Sequence, residues 1–93
     1  MNRSEQPRVL QVSPEQCRAA RAWLGWTQAE LAERSNVGLS ALKDFEKGSR
    51  RTLAAIRHQI QRAFEDAGVT FLPYGIEVGH RGAGYDEPTD AAV

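Results

Sequence analysis

One cysteine among 93 residues, Cys17, leaves no internal disulfide to make, and with only two histidines there is little material for a metal or redox centre. Cys17, His58 and His80 show no metal-ligand spacing. Cys17 falls on a helical pattern among alanines and reads as a small buried hydrophobe. No apolar run approaches the ~20 residues of a membrane span, and the N-terminus lacks a run of signal-peptide length. A soluble, cytoplasmic protein with no membrane partner is expected. The glycines of GHRGAG (79–84) lack the strand-before, helix-after context that a phosphate loop needs, and no nucleophile is paired with a base. An enzyme is therefore not expected, and neither a cofactor nor a metal is required. Low-complexity tracts and internal repeats are also missing. At this length, with 41% hydrophobic and 26% charged residues, the chain has room for one small globular domain.

Charge of one sign is lacking only in the sum, twelve basic against twelve acidic residues. Residues 1–62 hold eleven Lys/Arg against six acids, a balance of +5. Residues 63–93 hold Arg81 against six acids, a balance of −5. Such polarity suits a basic surface turned to phosphates and an acidic end turned away or toward a protein partner.

Residues 1–12 form a polar, proline-interrupted arm, expected to be flexible, whose Arg3 and Arg8 are either solvated or able to reach DNA. Ser13-Pro14-Glu15-Gln16 is a capping box with proline at the first helical position, flanked by Val12 and Cys17 in staple positions. Helix 1 then runs to about Leu24, with Cys17, Ala20 and Leu24 inward and Gly25 as its stop. Thr27 with Glu30 is a second capping box, Trp26 and Leu31 being placed to staple it. This short helix ends at Ser35-Asn36, where asparagine tolerates the left-handed backbone of a tight exit. After Val37 at the corner, a third helix begins at Leu39, buries Leu42 and Phe45, and closes at Gly48. Ser49-Arg50-Arg51 is a basic loop. Thr52 is the expected N-cap of helix 4, Leu53–Ala67, with a stripe of Leu53, Ile56, Ile60, Ala63, Phe64 and Ala67.

The following run, VTFLPYGIEV (69–78), reads as a β-hairpin turning at Pro73-Tyr74-Gly75. A lone hairpin is marginal in water, so Val69, Phe71 and Leu72 must either pack on the helices or form a dimer contact. Residues 79–93 are glycine-rich and acidic, expected as a flexible, disordered tail.

The segments QAELA, VGLSAL and FEKG, in this order within 28–48, resemble the helix-turn-helix of the phage-repressor class, the Cro/CI-like or XRE-type family of DNA-binding regulators. The resemblance covers about residues 14–69. It implies a mainly α fold: a four-helix phage-repressor-like helix-turn-helix domain over 13–68, with Ala29 and Ala32 small where helices 2 and 3 cross, followed by the short C-terminal hairpin over 69–78 and the tail. It further implies a sequence-specific transcriptional regulator, a repressor binding an inverted repeat of double-stranded DNA as a homodimer. Matching position by position puts Leu39, Ser40, Lys43 and Asp44 on the groove-facing side of helix 3. Lys43 can donate to guanine O6 and N7, Asp44 can accept from cytosine N4, Ser40 suits either role and Leu39 meets a thymine methyl. Asp44 beside phosphate calls for a partner, with Lys43 and Arg50 as candidates. Gln28, Lys47, Arg50 and Arg51 take the phosphate-contacting positions, and Glu46 matches a structural glutamate paired with Arg21. Helix 3 offers few bidentate hydrogen-bonding side chains, which motivates an alternative: a protein-interaction module, an antitoxin or anti-activator, that captures a partner with the hairpin and acidic C-terminus.

Overall fold

The computed structural model describes residues 11–79. The expected arm (1–10) and tail (80–93) lie outside them. Four helices, α1 (Pro14–Leu24), α2 (Gln28–Ser35), α3 (Leu39–Glu46) and α4 (Ala54–Asp66), precede a hairpin of β1 (Val69–Leu72) and β2 (Gly75–Val78).

Local chemistry sets most boundaries. Ser13 Oγ accepts from the Gln16 N–H while the Gln16 side chain accepts from the Ser13 N–H, each at 3.0 Å. Thr27 and Glu30 repeat the arrangement at the start of α2. Each reciprocal pair satisfies two N–H groups that the helix leaves without intrahelical partners. Gly25 (φ +72°) and Asn36 (φ +59°) turn the chain out of α1 and α2 in the left-handed region. At the end of α3, Lys47 is still right-handed and Gly48 (φ +97°) makes the turn. Helix 4 starts one residue later than expected: Leu53 occupies the cap position without a side-chain bond, and the Thr52 hydroxyl turns back to donate to the Ser49 carbonyl at 3.5 Å.

The core gathers Cys17 and Ala20 of α1, Leu31 and Ala32 of α2, Val37 of the turn, Leu42 and Phe45 of α3, and Ile60, Ala63 and Phe64 of α4. Ala29 is exposed, so the close crossing of α2 rests on Ala32 alone of the two alanines. Leu53 also leaves the expected stripe, with 65% of its surface in solvent. Trp26 stacks on Phe64, ring centroids 5.6 Å apart, and Phe64 meets Phe71 edge-on at 5.7 Å. The Arg34 guanidinium lies 4.4 Å from the Trp26 ring centre, a cation–π contact. Helix, linker and hairpin thus share one aromatic chain.

The strands pair antiparallel in the register Val69↔Val78, Thr70↔Glu77, Phe71↔Ile76 and Leu72↔Gly75. Gly75 therefore belongs to β2, and the turn is Pro73-Tyr74. β1 packs on α4 and β2 on α1. Val69 and Phe71 are buried within the chain's own core and Leu72 is half-buried. Of the two uses foreseen for these side chains, Val69 and Phe71 serve internal packing. Gln16 fastens the hairpin: its Nε2 donates to the carbonyls of Leu72 (2.6 Å) and Gly75 (2.9 Å). The side-chain oxygen of Gln61 accepts from the Val12 N–H at 3.0 Å and ties the start of α1 to α4.

Phe71→Ala is expected to cost ~3–5 kcal/mol through lost burial and the cavity left behind. Urea denaturation checks this, and an unchanged midpoint would remove Phe71 from the core.

Candidate nucleic-acid interface

The outward face of α3 is built on a single buried carboxylate. Glu46, the last residue of α3, is only 4% exposed. It receives Arg21 through a two-pronged contact, Nε to Oε2 and a terminal nitrogen to Oε1, both 2.8 Å. The Gln28 amide donates to Oε1 at 3.0 Å and the Cys17 thiol to Oε2 at 3.0 Å. Arg18 donates to the Glu46 carbonyl, and a second terminal nitrogen of Arg21 donates to the Trp26 carbonyl at 3.1 Å. Helices 1, 2 and 3 therefore meet at one side chain. Planar guanidinium against carboxylate fixes orientation as well as distance.

The electrostatics follow from this geometry. Burial pushes the Glu46 carboxyl up, but hydrogen bonds from Arg21, Cys17 and Gln28 outweigh burial and hold it below its ordinary range. The hydrogen bond to Glu46 raises Arg21. Burial, reinforced by Glu46, pushes the Cys17 thiol far up, so it stays a protonated donor. Cys17 is buried as expected, yet it is a member of a polar network rather than a plain hydrophobe. The i, i+4 spacing of Cys17 and Arg21 puts both on one flank of α1, but nothing in it points to a carboxylate on α3.

With α3 held in this way, Leu42, Phe45 and Glu46 face inward. Leu39, Ser40, Lys43 and Asp44 are all exposed on the other side. Lys47, Arg50 and Arg51 are exposed just beyond the helix and make no ion pair with the other described residues. Asp44 pairs with neither Lys43 nor Arg50, since exposed ion pairs gain little in water; separately, its main-chain carbonyl accepts from the N–H groups of Lys47 and Ser49 at the helix end. Asp44 and Arg51 both line a small recess of ≈ 130 Å³ between α3 and the start of α4. Gln28 is half-buried at the first position of α2, with one amide hydrogen committed to Glu46. Gly38 brings no side-chain cap to α3.

Two helices at a tight corner, the second exposed along one face and flanked by free cations, define a helix-turn-helix. Residues 18–56 match the helix-turn-helix family model, from the second turn of α1 to the first turn of α4. That match places the segment in the Cro/CI-like, XRE-type family of DNA-binding transcription regulators. No curated protein matches the chain. Among the described residues no helix is long and apolar enough to cross a membrane, and no His/Cys/Asp/Glu group has the arrangement to hold a metal.

Replacing Arg21 by Met leaves Glu46 buried without its counter-charge, at a cost of ~3 kcal/mol at pH 7. In the wild type, the depressed folded value means Glu46 adds stability above the ordinary glutamate range, about 4.3, and loses it as pH falls through the folded value. Without Arg21, burial dominates and the sign reverses: protonation relieves the variant. Arg21→Met should therefore cost less as pH is lowered from 7 toward 4. Paired urea titrations at the two pH values test this, and a pH-independent cost would contradict it.

Proposed function

We propose that this chain is a sequence-specific transcription regulator, a cytoplasmic repressor that binds an inverted-repeat operator as a homodimer with α3 in the major groove. The observation that carries the reading is the exposed face of α3, rigidly mounted through Glu46 and bordered by Lys47, Arg50 and Arg51 with their charges unspent. Four exposed side chains on eight residues of helix suit the depth of a major groove, where a helix presents a few polar groups to base edges. In this reading Lys43 donates to guanine, Asp44 accepts from cytosine, Ser40 serves either and Leu39 meets a thymine methyl. Lys47, Arg50 and Arg51 hold phosphates on the flank. Gln28 uses its second amide hydrogen on the backbone while the first keeps it aligned against Glu46. Repression needs nothing more than occupancy of a promoter, and a two-fold dimer reads two half-sites about one helical turn apart.

Fluorescence anisotropy with a duplex from upstream of the protein's own gene, against a scrambled duplex at two salt concentrations, tests the reading. Preference for the first duplex by ~10³ or more is expected. Equal weak binding to both would favour capture of a protein partner by the hairpin and acidic C-terminus, which a pull-down then examines. Lys43→Ala should cost ~1–3 kcal/mol at one base position, while Arg51→Ala should weaken all sequences alike and lower the salt slope by ~1. Equal losses on operator and random DNA for Lys43→Ala would remove it from base reading.

A further inference from the structure

Two of the most exposed large apolar side chains lie far from the face of α3. Trp23 is 64% exposed and Tyr74 88%. On α1, Gln16, Ala19 and Trp23 follow one another at i, i+3 and i+7 and share a flank, whereas Arg18 and Arg21, which reach Glu46, occupy the opposite one. The Gln16 flank meets the hairpin through its bonds to Leu72 and Gly75. Between this flank and the turn runs an open groove of ≈ 590 Å³, lined among others by Gln11, Glu15, Ala19, Tyr74 and Ile76. Trp23 stands about 10 Å further along α1 from Gln16, at 1.5 Å per residue. The result is a strip on the hairpin side of α1, apolar at Ala19, Trp23, Tyr74 and Ile76 and polar at Gln11, Glu15 and Gln16, and none of these residues belongs to the DNA-facing set.

We propose that this strip, not the inward faces of Val69 and Phe71, is where a second copy of the chain docks, rings against rings across a two-fold axis. The inference rests on the homodimeric reading above and names its surface. A two-fold contact is reciprocal, so α1 lies antiparallel to its mate, with Tyr74 of each copy set against Trp23 of the other and Ala19 leaving room between the helices. Area supports this occupant. Aromatic side chains bury ~150–250 Å² each, and the two exposed rings with Ala19, Pro73 and Ile76 from both copies amount to on the order of 1,000 Å². That is the lower bound for a specific interface, the size range of weak and transient contacts. Charge also permits it: among the described residues that line the groove, Glu15 alone is charged. In the antiparallel arrangement Glu15 of each copy faces the Trp23 end of the other, which keeps the two carboxylates beyond the ~8–10 Å over which salt leaves exposed charges coupled. Because the strip lies across α1 from the Glu46 network, docking leaves both copies of α3 free.

Sedimentation velocity of the full chain across the micromolar range, for wild type, Trp23→Ser, Tyr74→Ser and the control Leu53→Ser, decides the matter. Trp23 and Tyr74 are exposed, so neither substitution opens the core. The expected result is a wild-type dimer weakened ~10-fold or more by each aromatic substitution, with Leu53→Ser, whose side chain is equally exposed elsewhere, like wild type. A dimer that persists in both aromatic variants overturns this surface and leaves the homodimeric reading standing. A wild type that stays monomeric even on its specific duplex overturns both and gives the strip to a different protein. Growth into species larger than a dimer overturns the two-fold arrangement.

Discussion

A buried carboxylate with four donors is the constraint on which the rest of the molecule depends. Glu46 sits where α3 ends and receives α1 through Arg21 and Cys17 and α2 through Gln28. Without those donors it would be a charge stranded in the interior, a costly state. With them, the apolar contacts of Leu31, Leu42 and Phe45 acquire a fixed rotational setting. Apolar packing alone tolerates small rotations of an eight-residue helix, since one methyl is much like another. A forked guanidinium against a carboxylate does not. That difference fixes which side chains of α3, Leu39, Ser40, Lys43 and Asp44, are turned to solvent.

The features legible in the sequence were those whose partners lie within one turn. Ser13 with Gln16 and Thr27 with Glu30 could be read from spacing because each reciprocal pair closes over three residues. Gly25, Asn36 and Gly48 were legible for a similar reason, since few residues accept a left-handed backbone. The outward placement of Leu39, Ser40, Lys43 and Asp44 came from the family resemblance, and the inward setting of Leu42 and Phe45 agrees with it. What escaped depended on distant partners. Neither spacing nor composition shows that Cys17 would donate to a carboxylate 29 positions away, or that Gln28 would share it. The Arg21–Glu46 pair came from family resemblance rather than from any local rule. The start of α4 slipped by a residue because Thr52 had a competing acceptor in the Ser49 carbonyl. Val69 and Phe71 alternate in the same way whether they face a partner or their own core; only the position of Phe64 decides it.

Charge is arranged as economically as packing. The helix α4 spans about 20 Å, at 1.5 Å per residue over its 13 residues. At its beginning lie Arg50 and Arg51, and at its end Glu65 and Asp66, with Glu77 beyond on the hairpin. A neutral molecule so divided is oriented by a polyanion before it touches it, as fields of several kT over a surface steer approach. Neutrality in the sum also avoids the self-repulsion that a uniformly basic domain of this size would carry.

Gln16 joins the two ends of the described chain in a way that bears on how it comes apart. Its carbonyl oxygen caps α1 while its amide nitrogen holds the two carbonyls of the hairpin turn. The two ends are coupled, because the side chain that closes the first turn of α1 is also the one that holds the hairpin. Regions so linked open as one cooperative unit. An opening at either end therefore weakens the hold on the other, though some sixty positions separate them along the chain.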